Sequence, residues 1–78
     1  MLKLILMEQN AEMAVYNYYP EGEGEPGSIS IDKRTGKINV LHVPPNDEYG
    51  HYKIHAIQRI SEYFDKQVFR KKDVVAWY

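Results

Sequence analysis

Two histidines four residues apart are the feature of this sequence that comes closest to a chemical site. His51 and His55 follow Asp47 and Glu48, within a stretch that has the periodicity of a helix. The four-residue spacing places both imidazoles on one helix face, and together with the Asp47 carboxylate they could bind zinc or a similar ion. The pattern differs from the zinc-protease motif His-Glu-x-x-His, because Tyr52 follows His51. The alternative is two histidines on a solvated helix flank.

The same residues raise the question of acid–base catalysis. His55 could act as a general base beside Asp47 or Glu48, but the sequence offers no nucleophile for it to activate. Cysteine is absent, and the serines lie outside any strand-to-helix elbow of the kind that exposes a nucleophilic serine. The sequence therefore favours a protein without catalytic activity and without a cofactor.

A basic cluster near the end of the chain is the candidate for nucleic-acid contact. Its members are Lys66, Arg70, Lys71 and Lys72, with the aromatic Phe69 among them. Basic groups interleaved with aromatic rings can contact phosphates and bases. The net charge of −1 gives no general attraction to nucleic acid, and cations at the end of a helix also complement its dipole. Weak nucleic-acid binding is therefore a secondary hypothesis.

The front of the chain is acidic and the rear is basic. Residues 1–25 contain one lysine against five glutamates, whereas residues 26–78 contain nine basic and six acidic residues. Residues 20–27 alternate glutamate with glycine between two prolines, which is typical of a flexible, solvated loop. The Asp and Asn ligands and the closing glutamate of a calcium loop are missing there. This asymmetry of charge could steer one copy of the chain towards another.

Aromatic residues exceed what a core of this size can hold. Seven tyrosines and one tryptophan occur in 78 residues. Both residue types are favoured at interfaces, where one end of the ring is apolar and the other is wet. The predicted interface residues are Tyr16, Tyr18, Tyr19, Trp77 and Tyr78. The alternative is that the tyrosines cap the edge of the core with their hydroxyls in water.

Residues 47–67 repeat apolar side chains at three- and four-residue steps and predict the helix of the fold. The residues on its apolar side are Tyr49, Tyr52, Ala56, Ile60 and Tyr63. Pro44 and Pro45 end the preceding strand, and Asn46 or Asp47 is expected to cap the start of the helix.

The first two strands are predicted from apolar runs on either side of a polar turn. Residues 2–7 are apolar at nearly every position, and residues 13–19 are rich in aromatic and β-branched side chains. A turn centred on Gln9-Asn10 would place Leu6 opposite Met13.

The clearest hairpin spans residues 28–43. Its turn, residues 32–37, carries a glycine where such turns need a positive φ. The alternation of apolar residues pairs Ile31 with Ile38 on one face of the sheet. The apolar phase slips after position 40, which predicts either a bulge near Leu41 or the end of the strand.

A final short strand at residues 73–78, predicted to pair with a sheet edge, gives the order β-β-β-β-α-β. This order predicts an α+β fold, in which a mostly antiparallel β-sheet carries one α-helix on one face, in a single domain of residues 1–78. One helix covers only one face of a sheet. The second face or an edge strand is therefore expected to be free for a partner.

These features together indicate a small cytoplasmic protein. The lack of cysteine fits a reducing compartment, and the longest apolar run, residues 4–7, is too short for a membrane span or a signal-peptide core. The leading hypothesis is a non-catalytic interaction module that forms a homodimer or binds another protein. The alternatives are a ligand or metal site at the helix start, and weak nucleic-acid binding.

Overall fold

The computed structural model describes residues 1–77, and the predicted α+β fold and order of elements are confirmed. The strands are β1 (Leu2–Gln9), β2 (Met13–Pro20), β3 (Gly27–Asp32), β4 (Ile38–His42) and β5 (Lys72–Val75), and the helix is α1 (His51–Lys66). The five strands form one sheet in the order β4-β3-β2-β1-β5, and every neighbouring pair is antiparallel.

The core lies between α1 and one face of the sheet. The helix buries Ala56, Ile60 and Tyr63, which recur at the spacing that the sequence predicts. Alternate residues of the strands face these side chains, as the pleat of a sheet requires. The buried strand residues are Leu2, Leu4, Ala14, Tyr16, Tyr18, Ile29, Ile31 and Val75.

The β3–β4 hairpin has the predicted register. Ile31 pairs with Ile38, and the Gly36 N–H donates to the Asp32 carbonyl in a turn where Gly36 has a φ of +80°. Glycine adopts this conformation without the strain that a Cβ would add. The phase slip near Leu41 is a bulge, because Leu41 is an extra residue between two successive pairs of the ladder.

The register predicted for β1 and β2 is wrong. Leu6 lies opposite Tyr16 rather than Met13, because the turn is closed between Asn10 and Met13 and because β1 contains a bulge between Leu6 and Glu8. In this turn the Asn10 side chain accepts hydrogen bonds from the backbone N–H groups of Glu12 and of Met13, the first residue of β2. This shift exchanges the two faces of β2 and turns its even-numbered residues towards α1.

The helix α1 begins later than predicted. Asp47 belongs to a short 3-10 turn, Pro45–Asp47, and the helix starts at His51 after Gly50, whose φ is +73°. Tyr49, predicted on the apolar side of the helix, lies in this connection and is 80% exposed. No helix within residues 1–77, α1 included, has the length and apolar character needed to cross a membrane.

The final strand pairs with a sheet edge, as predicted. β5 runs antiparallel to β1, with Leu2 opposite Val75. On the sheet face away from α1, Ile5, Val15 and Tyr19 are half-buried.

Candidate functional site

Two of the predicted interface residues lie in the core. Tyr16 and Tyr18 are 1% and 0% exposed beneath α1. The Tyr18 hydroxyl donates to Asp47 Oδ2 at 2.9 Å, and the Tyr16 hydroxyl donates to the Arg70 carbonyl at 2.6 Å. Burial, assisted by the charge of Asp73, raises the pKa of Tyr16 to about 12. This burial removes both tyrosines from any surface that a partner could contact in this fold.

The remaining predicted interface residues do not form one patch. Tyr19 lies on the sheet face away from α1, where the Lys3 ammonium is 5.7 Å from its ring centroid. Trp77 packs against α1, stacked on His55 with ring centroids 3.8 Å apart and edge-on to Tyr52 at 5.5 Å. Tyr78 lies outside the described residues. Tyr19 and Trp77 are therefore on opposite sides of the sheet.

The predicted metal ligands Asp47, His51 and His55 do not converge. Asp47 is 3% exposed, and its carboxylate accepts the backbone N–H groups of Tyr52 at 3.0 Å and Lys53 at 2.9 Å. Gly50 occupies the N-cap position of α1. From the preceding turn, the Asp47 carboxylate provides acceptors for backbone N–H groups of the first helical turn, which have no partner within the helix. Within residues 1–77, no group of three or more His, Asp or Glu side chains could hold a metal ion.

The four basic residues predicted for nucleic acid are divided between two places. Lys66 and Arg70 line a pocket of about 120 Å³ beside the C-terminal half of α1. Lys71 and Lys72 do not line it, and Lys72 lies opposite Ile5 on the sheet face away from α1. These four residues therefore present no continuous basic stripe to a nucleic-acid backbone.

Asp73, on the floor of this pocket, joins β5 to α1. Its Oδ2 accepts hydrogen bonds from Arg59 Nη1 at 2.7 Å and from the Tyr63 hydroxyl at 2.5 Å. Burial raises the pKa of Asp73, but the hydrogen bonds from Tyr63 and Arg59 outweigh burial and hold the pKa below its usual value of 3.8. The ionised carboxylate is therefore the form that stabilises the fold.

The lowered pKa makes the Asp73 contact sensitive to acid. A carboxyl whose pKa is lower in the folded state stabilises the protein above its unfolded pKa, and that contribution is lost as the pH falls through the folded pKa. We expect Asp73→Asn to lower the free energy of unfolding at neutral pH by about 1–3 kcal/mol. The difference from wild type should be full at neutral pH and shrink as the pH falls below the ordinary carboxyl pKa of 3.8.

Urea unfolding at constant ionic strength across this range measures the Asp73 effect. Asp65→Asn, at an exposed carboxyl in the last turn of α1, is the control and is expected to change stability by less than about 0.5 kcal/mol at neutral pH. A difference between Asp73→Asn and wild type that stays constant with pH would contradict the role of the charge.

The outer edge of β4 is the least protected part of the sheet. β4 pairs with β3 on one side and forms the end of the sheet on the other. Val40 and Leu41 are 40% and 58% exposed, and Val43 just beyond the strand is 38% exposed. β4 contains no lysine, arginine, carboxylate or proline, the residues with which proteins usually keep an edge strand from pairing.

Backbone groups along this edge are also free to pair. Hydrogen-bonded and non-hydrogen-bonded pairs alternate along an antiparallel ladder, and the Asp32 N–H donates to the Lys37 carbonyl at 2.8 Å. The alternation therefore turns the N–H and C=O groups of Ile38 and Val40 away from β3. Together with the exposed side chains, they form what we call the β4 edge, residues 38–43.

Opposite charges lie at the two ends of the β4 edge. The turn before it, residues 32–37, has three basic residues against one acidic. At the other end, His42 Nε2 lies 2.8 Å from Glu25 Oε2, beside the three glutamates of residues 21–25. An antiparallel strand with the same sequence would place its basic turn near this acidic loop.

The sequence prediction did not single out Val40, Leu41 and Val43 as exposed. The slip of the apolar phase after position 40 was the available signal, because a bulge places consecutive apolar residues on both faces of an edge strand. An apolar strand end followed by two prolines is also typical of a sheet edge rather than a sheet centre.

Comparison of the chain with protein-family models, with curated proteins and with solved structures finds no match. The geometry of the chain itself is therefore the basis for inferring its function. Among the sites above, the β4 edge is where exposed apolar side chains, free backbone groups and complementary charge coincide.

Proposed function

We propose that this protein is a non-catalytic interaction module that forms a homodimer by pairing its β4 edge with the β4 edge of a second copy. The observation that carries the proposal is the edge itself, which combines Leu41 at 58% exposure with unpaired backbone groups at Ile38 and Val40. An antiparallel pair of β4 strands would join two five-stranded sheets into one and supply partners for those groups.

A second copy is favoured as the occupant by symmetry and by charge. A two-fold axis across the β4 edge places the same strand on both sides, so each copy supplies hydrogen-bond partners for the unpaired backbone groups of the other. The same axis brings the basic turn at residues 32–37 of one copy near the acidic loop at residues 21–25 of the other, and it does so twice. The opposite edge of the sheet is less suited to pairing with a second copy, since β5 has only four residues and carries the charged Lys72 and Asp73.

The substitution Leu41→Lys tests this interface. It adds one ammonium to each copy at the centre of the proposed edge, so the dimer would contain two like charges in close contact. We expect the dimer dissociation constant to rise at least about tenfold, equivalent to about 1.4 kcal/mol. Sedimentation equilibrium or size exclusion with light scattering, over a range of protein concentrations, measures the change.

Val74→Lys is the matched control for this experiment. Val74 is 55% exposed, close to the 58% of Leu41, but it lies on β5 at the other end of the sheet. It should leave the dissociation constant within about twofold, well under 1.4 kcal/mol. Equal weakening by both lysines, or a wild-type protein that stays monomeric at high concentration, would refute the proposal. Partial weakening by salt is expected, because charges at the ends of the edge contribute.

A further inference from the structure

The pocket beside the C-terminal half of α1 has a chemistry that self-association does not use. It lies next to β5, at the opposite end of the sheet from β4. The residues that line it are Arg59, Glu62, Tyr63, Lys66, Val68, Arg70 and Asp73. Three of these side chains are cationic and two are anionic, so the pocket carries a net charge of +1.

The two carboxylates of the pocket share contacts with one cation. Arg59 lies between them, with Nη1 2.7 Å from Asp73 Oδ2 and Nε 3.3 Å from Glu62 Oε2. Asp73 also accepts hydrogen bonds from the Tyr63 hydroxyl and from the Val74 N–H. Its oxygens are therefore occupied by the protein, and they offer little to an incoming cation.

The two other cations of the pocket have few contacts. Within residues 1–77, Lys66 makes no ion pair, and the Arg70 guanidinium has one loose contact, 3.7 Å from Asp73 Oδ1. The Arg70 side chain is 60% exposed. Both side chains can therefore reach a ligand without breaking a strong interaction.

The backbone that carries these cations is held in place from the core. The buried Tyr16 hydroxyl donates to the Arg70 carbonyl at 2.6 Å. At the end of α1, the Val68 N–H donates to the Tyr63 carbonyl at 3.0 Å, which closes the helix in the manner of a left-handed cap at Gln67. Lys66 and Arg70 thus project from a fixed connection, which lowers the entropy cost of binding.

We infer that this pocket binds the phosphate group of a phosphate monoester, between the Lys66 ammonium and the Arg70 guanidinium with Arg59 behind them. A guanidinium matches two phosphate oxygens at once, and the cations Lys66 and Arg70 together suit the double charge of a phosphate better than the single charge of a carboxylate. The pocket of about 120 Å³ is smaller than the roughly 300–1,000 Å³ of sites for whole small molecules. The phosphate group alone enters it, and the rest of the ligand stays in solvent.

Titrations followed by ¹H–¹⁵N correlation spectra test the assignment on the full chain. The probes are phosphoserine, inorganic phosphate and acetate, added at constant pH and ionic strength. Phosphoserine and inorganic phosphate should produce saturable shifts confined to the amides of residues 59–73. Acetate should bind at least about tenfold more weakly, since it carries half the charge and cannot span both cations.

Substitutions that each remove one charge identify the residues that bind the phosphate group. Arg70→Gln and Lys66→Gln should each weaken phosphoserine binding by about tenfold or more. Because two variants are used, the test still works if one of them fails to fold. Lys71→Gln removes the same charge next to Arg70 but outside the pocket, and it should change the affinity less than about twofold. Leu41→Lys should bind phosphoserine as wild type does, because the pocket does not depend on the dimer.

Three results would overturn the inference. Shifts that do not saturate, acetate binding as tight as phosphoserine binding, or an equal loss in Lys71→Gln and Arg70→Gln would each show diffuse attraction to a basic surface instead of a phosphate site. The spectra also report folding, because the amides of β3 should not move in Arg70→Gln, Lys66→Gln or Lys71→Gln.

Discussion

Replacing Asp47 with alanine is expected to lower the free energy of unfolding by about 2–4 kcal/mol. The Asp47 carboxylate is buried and accepts three hydrogen bonds, from the Tyr18 hydroxyl and from the N–H groups of Tyr52 and Lys53. Loss of the bonds at the start of α1 costs about 0.5–2 kcal/mol. A buried tyrosine hydroxyl left without an acceptor costs about 1–3 kcal/mol more.

A double-mutant cycle separates these two contributions. Tyr18→Phe removes the hydroxyl, so the combination with Asp47→Ala should cost less than the sum of the two single changes by about 1 kcal/mol. Glu48→Ala, at an exposed neighbouring carboxylate, is the control and should stay within about 0.5 kcal/mol of wild type. Equal losses at positions 47 and 48 in urea unfolding would show that only helix-end charge matters.

The second large effect is expected at Gly27. Gly27 lies opposite Tyr18 in the β2–β3 ladder, and a Cβ at this position would lie 2.1 Å from Tyr18 Cε1. The ring cannot move aside freely, because it is fully buried and its hydroxyl is held by Asp47. Gly27→Ala should therefore cost about 3 kcal/mol or more, at the upper end of overpacking.

Thermal or urea unfolding of Gly27→Ala measures this clash. Ser28→Ala is the control, because its side chain points to the other face of the sheet and should change stability by less than about 0.5 kcal/mol. A cost for Gly27→Ala below about 1 kcal/mol would mean that the sheet shifts locally to admit the methyl group, and that Tyr18 is less rigidly held than its contacts indicate.

Local signals in the sequence were sufficient to predict the elements whose partners are close in sequence. The register of the hairpin at residues 28–43 was predicted, because the turn glycine and the alternation of apolar residues agree, whereas the bulge near Leu41 was one of two alternatives. The helix was predicted because Ala56, Ile60 and Tyr63 keep the helical period. Its start was placed too early, since Asp47 and Glu48 resemble a capping segment while Gly50 decides the boundary.

The β1–β2 register could not be read in the same way. Apart from Asn17, both faces of β2 are apolar or aromatic, so a slip of one residue leaves a pattern that looks equally favourable. A bulge in β1 and an Asn10 side chain that organises the turn decide which face meets α1. Tyr16 and Tyr18 were therefore predicted on an exposed face, although their hydroxyls have partners that are distant in sequence.

The candidate sites were less accessible to sequence reasoning than the fold. The pocket depends on Arg59, Tyr63 and Asp73, which come from two separate elements, and no spacing rule predicts their convergence. The histidine pair had a metal-like spacing, but the Asp47 carboxylate that would complete it accepts backbone N–H groups at the start of α1 instead. Burial and pairing across the sheet decide these outcomes, and both are properties of the whole fold.

The short strand β5 has a protective consequence for the rest of the chain. It pairs with β1 through only four residue pairs. The hydrogen bonds that Asp73 accepts from Arg59 and Tyr63 also keep it in place. Next to it in the sheet lies the segment of residues 2–7, which is almost wholly apolar, lacks proline and has the composition of an amyloid-forming stretch. If β5 detached, that segment would become an open edge in an otherwise folded molecule. Resistance to aggregation is therefore expected to fall in acid, where protonation of the Asp73 carboxylate weakens the contacts that hold β5 in place.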